Sequence, residues 1–142
     1  MDPISITYVP HARELQISVT DKGEGFAQCR LPFRDELVGD PERGIVHGGV
    51  ITTLMDTAGG TAVAMAGVLP QATLDLRIDY LRPATSGEDL YADAQVYRTT
   101  RHVAFVRGTC HHGDTEQPIA NMTCTFIIAD RPNLSARPEE WT

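Results

Sequence analysis

The stretch that decides the reading is 44-GIVHGGVITTLMDTAGG-60. From Gly48 to about Ala66, the apolar positions Val50, Ile51, Leu54, Met55, Ala58, Ala62, Val63 and Met65 cover most of a helical circumference. That spacing predicts a helix buried on nearly all sides. Gly67 and Pro70 are placed to stop it. One carboxylate, Asp56, stands inside the apolar run. Desolvating a charge is expensive unless something compensates, so an Asp kept there needs a reason. The helix also opens on His47-Gly48-Gly49. First-turn amides lack intrahelical partners and sit at the positive end of the helix dipole, and glycine places no side chain in their way.

Outward from the helix the period changes. Upstream, FAQCRLPF (26–33) sets Ala27, Cys29, Leu31 and Phe33 on one face of a strand, and the polar loop RDELVGDPERG follows. Downstream, TLDLRIDYL alternates Leu74, Leu76, Ile78 and Tyr80 against Asp75, Arg77 and Asp79, a half-buried strand. LYADAQVY, HVAFVRGTCH and IANMTCTFIIA read as three more strands. SGED, RTTRH and HHGDTEQP separate these strands by hairpin-sized gaps. The expected order is one strand, one buried helix, then four antiparallel strands. The fold class is therefore α+β, an antiparallel β-sheet wrapped around one long central helix. One domain is expected over 1–142, with its core at about 25–129 and the tail RPNLSARPEEWT loosely held.

Composition narrows the function classes. Of 142 residues, 42% are hydrophobic and 22% charged, as in soluble globular chains. Lys and Arg number 12 against 19 Asp and Glu, for a net charge of −7. That balance argues against a nucleic-acid partner held by a broad basic surface. The three cysteines, Cys29, Cys110 and Cys124, form no CxxC, which fits a reducing compartment and small core residues. The N-terminus shows no basic segment followed by an apolar one, and no apolar stretch is a good membrane span. The expectation is a cytoplasmic protein with no membrane partner. In 110-CHHGD-114, Cys110, His111, His112 and Asp114 are candidate metal ligands. Adjacent histidines on a strand point to opposite faces, however, and Gly-Asp reads as a turn, so no metal is expected.

Taken together, HGG, the buried helix, Asp56 nine residues after His47, and a strand ending YLRPA resemble the hotdog-fold acyl-CoA thioesterases. The resemblance is to the phenylacetate-pathway subgroup of the 4-hydroxybenzoyl-CoA thioesterase superfamily, and it covers about residues 25–129. It implies the hotdog fold and an acyl-CoA substrate, with no cofactor beyond the coenzyme A that the substrate carries. It also implies roles for particular residues. Asp56 is the base or nucleophile and the Gly48 amide faces the thioester oxygen. His47 orients the loop or the acyl carbonyl, Gly49 belongs with the substrate-binding residues beside it, and Thr73 lies near the water or nucleophile. Arg82 and Arg101 are candidates for the CoA phosphates, because guanidinium forks pair with phosphate oxygens. Asp40 stands at a substrate-binding position where many members have Asn, whose amide helps bind substrate or water; this is a departure, since an ionised Asp cannot donate a hydrogen bond.

Gly48 and Asp56 are eight residues apart, about 12 Å along one helix, so both cannot touch one carbonyl from the same helix. The spacing calls for a homodimer with composite sites, and a homotetramer is the expected higher assembly. Without the resemblance, Asp56 would read as a buried carboxylate capped by Thr52 or Thr53, and Arg82 and Arg101 as solvated surface charge. Gly59 and Gly60 either let the helix approach the sheet or leave room for an acyl group. Two rival functions follow from the same pattern. A hotdog dehydratase or hydratase would carry a His-based pattern with an HFPG-like loop. A non-catalytic acyl-CoA-binding module would fit the Asp40 departure.

Overall fold

The computed structural model describes residues 9–130. In chain order it contains α1 (Pro10–Glu14), β1 (Ser18–Gly23), β2 (Phe26–Leu31), β3 (Val38–Asp40), β4 (Ile45–Val46), α2 (Gly48–Met65), β5 (Val68–Tyr80), β6 (Leu90–Thr99), β7 (Val103–His111) and β8 (Ala120–Asp130). The expected loose tail lies outside the described residues. The long helix spans nearly the residues its periodicity predicts. Ile51, Leu54, Met55, Ala58, Ala62 and Val63 are buried, and Gly67 ends the helix at φ 87°, a conformation glycine adopts without strain.

The main sheet has six strands in the order β1-β2-β6-β7-β8-β5, and β3 and β4 form a separate two-stranded hairpin. Helix α2 packs against β2, β5, β6, β7 and β8. The inward faces agree with the alternation read from sequence: Ala27, Cys29 and Leu31 on β2, Leu90, Ala92 and Ala94 on β6, and Ala120, Met122, Cys124, Phe126 and Ile128 on β8 are all buried. Gly59 explains how the helix comes so close. A Cβ there would lie 3.1 Å from Cys124 Sγ and 3.2 Å from the Phe126 ring. At Gly60 the same atom would meet only ordinary contacts, 3.7 Å away.

Three expectations need correction. A second strand, β1, precedes β2 and pairs with it antiparallel. Most of its residues are exposed because it lies at the sheet edge, so its sequence SVTDKG lacks the alternation of a half-buried strand. The stretch containing SGED is not a hairpin turn. Residues 81–89 carry the chain from β5 at one edge to β6, which pairs with β2 and β7. Pro70 lies inside β5 rather than before it, next to a register irregularity on this edge strand, where a missing N–H is tolerated.

Candidate active site

The stripe of α2 facing β5 carries Gly48, Thr52, Asp56 and Gly60, spaced four apart and each half-buried. At the head of the stripe, His47 caps the helix. Its Nδ1 accepts from the Gly49 N–H at 2.9 Å, so that nitrogen carries no proton. The His47 carbonyl accepts from the Val50 N–H at 3.0 Å. The Gly48 N–H meets no acceptor among the described residues, and it points from a helix start where a developing negative charge is favoured.

Tyr80 closes the other side of this turn. Its hydroxyl donates to the Gly48 carbonyl at 2.8 Å and lies 2.9 Å from Thr52 Oγ1. The sequence reading did not single out Tyr80 as a site residue. The signal available was its parity: Tyr80 shares a face with Leu76 and Ile78, opposite Cys124 and Met122 across β8, which is the face turned to the helix.

Two turns further on, Asp56 Oδ1 accepts a 2.8 Å hydrogen bond from Thr73 Oγ1 of β5. The partner is thus a strand residue from beyond the helix, not Thr52 or Thr53; the Thr52 hydroxyl meets Tyr80 instead. The three thiols are poor nucleophiles. Burial pushes Cys124 up to about 12, reinforced by the charges of Asp56 and Asp75. Burial likewise raises Cys110 to about 12, with Asp93 adding to it, and Cys29 to about 11 against a hydrogen bond from Thr61.

The remaining candidates are dispersed. Asp40 caps its own loop, accepting from the Glu42 and Arg43 amides at 3.1 Å each and pairing with Arg43. An acceptor suffices for that task, so the missing Asn donor is not needed there. Arg82 gives its guanidinium to the carbonyls of Gln117 (2.6 Å) and Pro118 (3.3 Å) in the β7–β8 loop. Arg101 lies in the β6–β7 turn, exposed and with no partner among the described residues. One chain therefore holds the two arginines at opposite ends of β7. A groove of about 430 Å³ runs from Gly48 and Ile51 past Tyr80 and Leu81 to Arg82, with a lining that is largely apolar.

The CHHGD segment is structural. His111 is buried, with Nε2 3.0 Å from Asp93 Oδ2 and Nδ1 accepting from the Gly113 N–H. His112 Nε2 accepts from the Thr85 N–H and its Nδ1 lies 2.9 Å from the Asp89 carbonyl. All four ring nitrogens are thereby engaged within the protein. No helix of the described residues is long and apolar enough to cross a membrane.

Comparison with known proteins adds to this geometry. Residues 43–127 match the thioesterase superfamily. The chain is 29% identical over 139 residues to the medium/long-chain acyl-CoA thioesterase YigI of Escherichia coli, covering 87% of this chain and 88% of that one. It is 46% identical over 89 residues to a protein of Halobacterium salinarum, covering 59% of this chain and 58% of that one. In structure it resembles a mutant of the phenylacetic acid degradation protein PaaI of Thermus thermophilus, with a TM-score of 0.73 and 27% identity over 83% of this chain and 97% of that one.

Proposed function

Since the chain belongs to the thioesterase superfamily, we propose that it is an acyl-CoA thioesterase, acting on small, medium-chain or aromatic acyl groups. The observation that carries the reading is one stripe of helix. An unengaged N–H at Gly48 marks its start, and a carboxylate at Asp56, steadied by Thr73, stands two turns on. In the proposed step Asp56 takes a proton from water as the oxygen attacks the thioester carbon. The Gly48 N–H donates to the oxyanion that forms. Collapse breaks the C–S bond, and the proton leaves with the CoA thiolate, giving a carboxylic acid and free CoA. Thr73 binds one carboxylate oxygen and leaves the other for water. Direct attack by Asp56 through a mixed anhydride is the competing route, and ¹⁸O from solvent appearing in Asp56 during a single turnover would mark it.

The site is composite in this reading. Gly48 and Asp56 on one helix are about 12 Å apart, so a thioester needs Gly48 of one protomer beside Asp56 of a second copy. What supports a homodimer is the β5 edge, whose long ladder has a neighbour on one side only. Leu74, Tyr80 and Leu81 on and beside it are each about half exposed. Arg101, unengaged, is the better candidate for the CoA phosphates, and Arg82 can offer only the donors its loop carbonyls leave free.

The test is thiol release from a panel of acyl-CoAs by the wild type and by Asp56→Ala, with assembly followed by sedimentation. Turnover by the wild type, and a loss of about a hundredfold or more in a folded variant of unchanged mass, is expected for removal of an acid–base group. Measurable binding of every acyl-CoA with no turnover would replace the enzyme by an acyl-CoA-binding module.

A further inference from the structure

We propose that Tyr80 is a positioning residue for the oxyanion-binding amide, locking the Gly48–Gly49 peptide so that the Gly48 N–H keeps its aim. The inference rests on the thioesterase reading and adds a residue to its machinery. Two consecutive glycines make the most pliable start a helix can have, because neither carries a Cβ to restrict its backbone. An amide meant to meet a charge only as it develops must nevertheless be fixed beforehand, or the reaction bears the cost of orienting it.

The structure adds a side-chain constraint to the helix's own hydrogen-bond ladder, which begins at Gly48. The Gly48–Gly49 peptide unit has one acceptor and one donor, and a side chain holds each. Its carbonyl accepts from the Tyr80 hydroxyl at 2.8 Å, and its N–H donates to His47 Nδ1 at 2.9 Å. Thr52 Oγ1 lies 2.9 Å from the Tyr80 oxygen and 3.4 Å from the Gly48 carbonyl, so the phenol is itself held. The ring also takes the place of a side chain at Gly48. A Cβ there would lie 3.5 to 3.6 Å from three atoms of Tyr80, an ordinary packing contact. The preceding peptide, which carries the free Gly48 N–H, is fixed at its carbonyl by the Val50 N–H. Of the amides in this turn, the one left without an acceptor is flanked on both sides by anchored groups.

Tyr80 does this while about half exposed. It ends β5 and lines the groove beside Gly48, so its hydroxyl points back into the helix start although water is available to it. Its ring and its hydroxyl can be separated experimentally. Tyr80→Phe keeps the ring over Gly48 and removes only the hydrogen bond.

The experiment is steady-state kinetics of Tyr80→Phe beside the wild type on the best acyl-CoA, with ¹⁵N relaxation of the Gly48 and Gly49 amides in both proteins. The expected result is a kcat lower by about threefold to tenfold, the range for one lost hydrogen bond. KM should change less than twofold, and the Gly48 amide should become more mobile. Wild-type kcat in the variant, or an equal change in kcat and KM with unaltered amide mobility, would overturn the positioning role. A wild type that binds acyl-CoA but never turns it over defeats the thioesterase reading instead. In that case the amide relaxation still decides whether Tyr80 fixes the turn.

Discussion

The two edges of the sheet are built differently. β1 is short, its side chains are polar or charged apart from Val19, and a bulge between Val19 and Asp21 breaks its ladder. These are the ordinary ways a protein discourages another strand from adding to an edge. β5 runs for 13 residues along the opposite edge. It ends in the exposed Tyr80, the exposed Leu81 follows it, and Leu74 is also exposed. It also carries both strand residues that touch the site, Thr73 and Tyr80. The half of the sheet away from β5 is richer in satisfied polar pairs: Gln28 and His111 on Asp93, and Arg30 on Asp89. One edge is finished as a surface. The other is left long, partly apolar and open, and it is the edge that carries the candidate chemistry.

The sharpest contrast comes from breaking the finished half. Asp93 accepts from Gln28 with one oxygen and pairs with buried His111 through the other. Asp93→Asn turns an NH2 group toward one of those donors and should lower unfolding free energy by about 1.5 to 3 kcal/mol, as for hydrogen bonds to a charged group. Urea denaturation reads this, and activity per folded molecule should stay at the wild-type level. A loss of activity without a loss of stability would place chemistry on the wrong half.

Charge reversal tests the open edge next. Asp75, Arg77 and Asp79 share the outer face of β5, opposite the uncharged Thr125, Thr123 and Asn121 of β8. In an antiparallel pair, opposed residues share a face, so an axis at Arg77 would set arginine against arginine. An axis at Leu76 or Ile78 sets each Arg77 against an aspartate. With the axis at Leu76 or Ile78, Arg77→Asp should weaken self-association about tenfold or more by replacing attraction with repulsion at two symmetric places. Thr20→Asp on β1 should leave it unchanged. Sedimentation over a dilution series distinguishes them, and equal effects at both edges would end the comparison.

A smaller effect is expected where the chain enters β1. Gln16 has φ 58°, a left-handed conformation that costs a residue with a Cβ. Gln16→Gly should raise stability by about 0.5 kcal/mol with no change in kcat, measured as a higher thermal midpoint. Smallest near neutral pH is the contribution of the thiols. Their folded pKa values are raised to between about 11 and 12, whereas unfolded thiols ionise near 8.5. The neutral thiols therefore favour the fold fully below that value, and their contribution is lost as pH rises above about 8.5. Stability should hold between about pH 6 and 8 and fall between about 9 and 11, with the native thiols resisting alkylation at about pH 8.

Much of this was legible in the residues. The all-round apolar spacing from Val50 to Met65 marks a buried helix, and the period-two runs of β2, β6 and β8 mark strands with the correct inward faces, because both periodicities are local consequences of backbone geometry. On β5 the register irregularity between Thr73 and Asp75 shifts the start of the run: Leu74, expected inward, is 53% exposed, and Thr73 meets the helix instead. His47-Gly48-Gly49 and Asp56 were visible as chemistry out of place in a core. β1 was not visible: an edge strand with one partly buried side chain offers too little alternation. Tyr80 was visible only as a face, since a hydrogen bond to Gly48, 32 residues away, has no signature in spacing.

The sequence by itself determined the long helix and the strands with strong alternation, the apolar side of most of them, and where a carboxylate interrupts the apolar pattern. Only the tertiary structure decided that β5 crosses away from β6 to lie beside β8, and that Thr73 rather than a helix threonine meets Asp56. It also decided that the arginines at 82 and 101 sit at opposite ends of a strand. Local periodicity is fixed by dihedral angles within a few residues. Strand order and side-chain partners depend on which distant surfaces exclude water together, and that is settled only when the whole chain closes around its core.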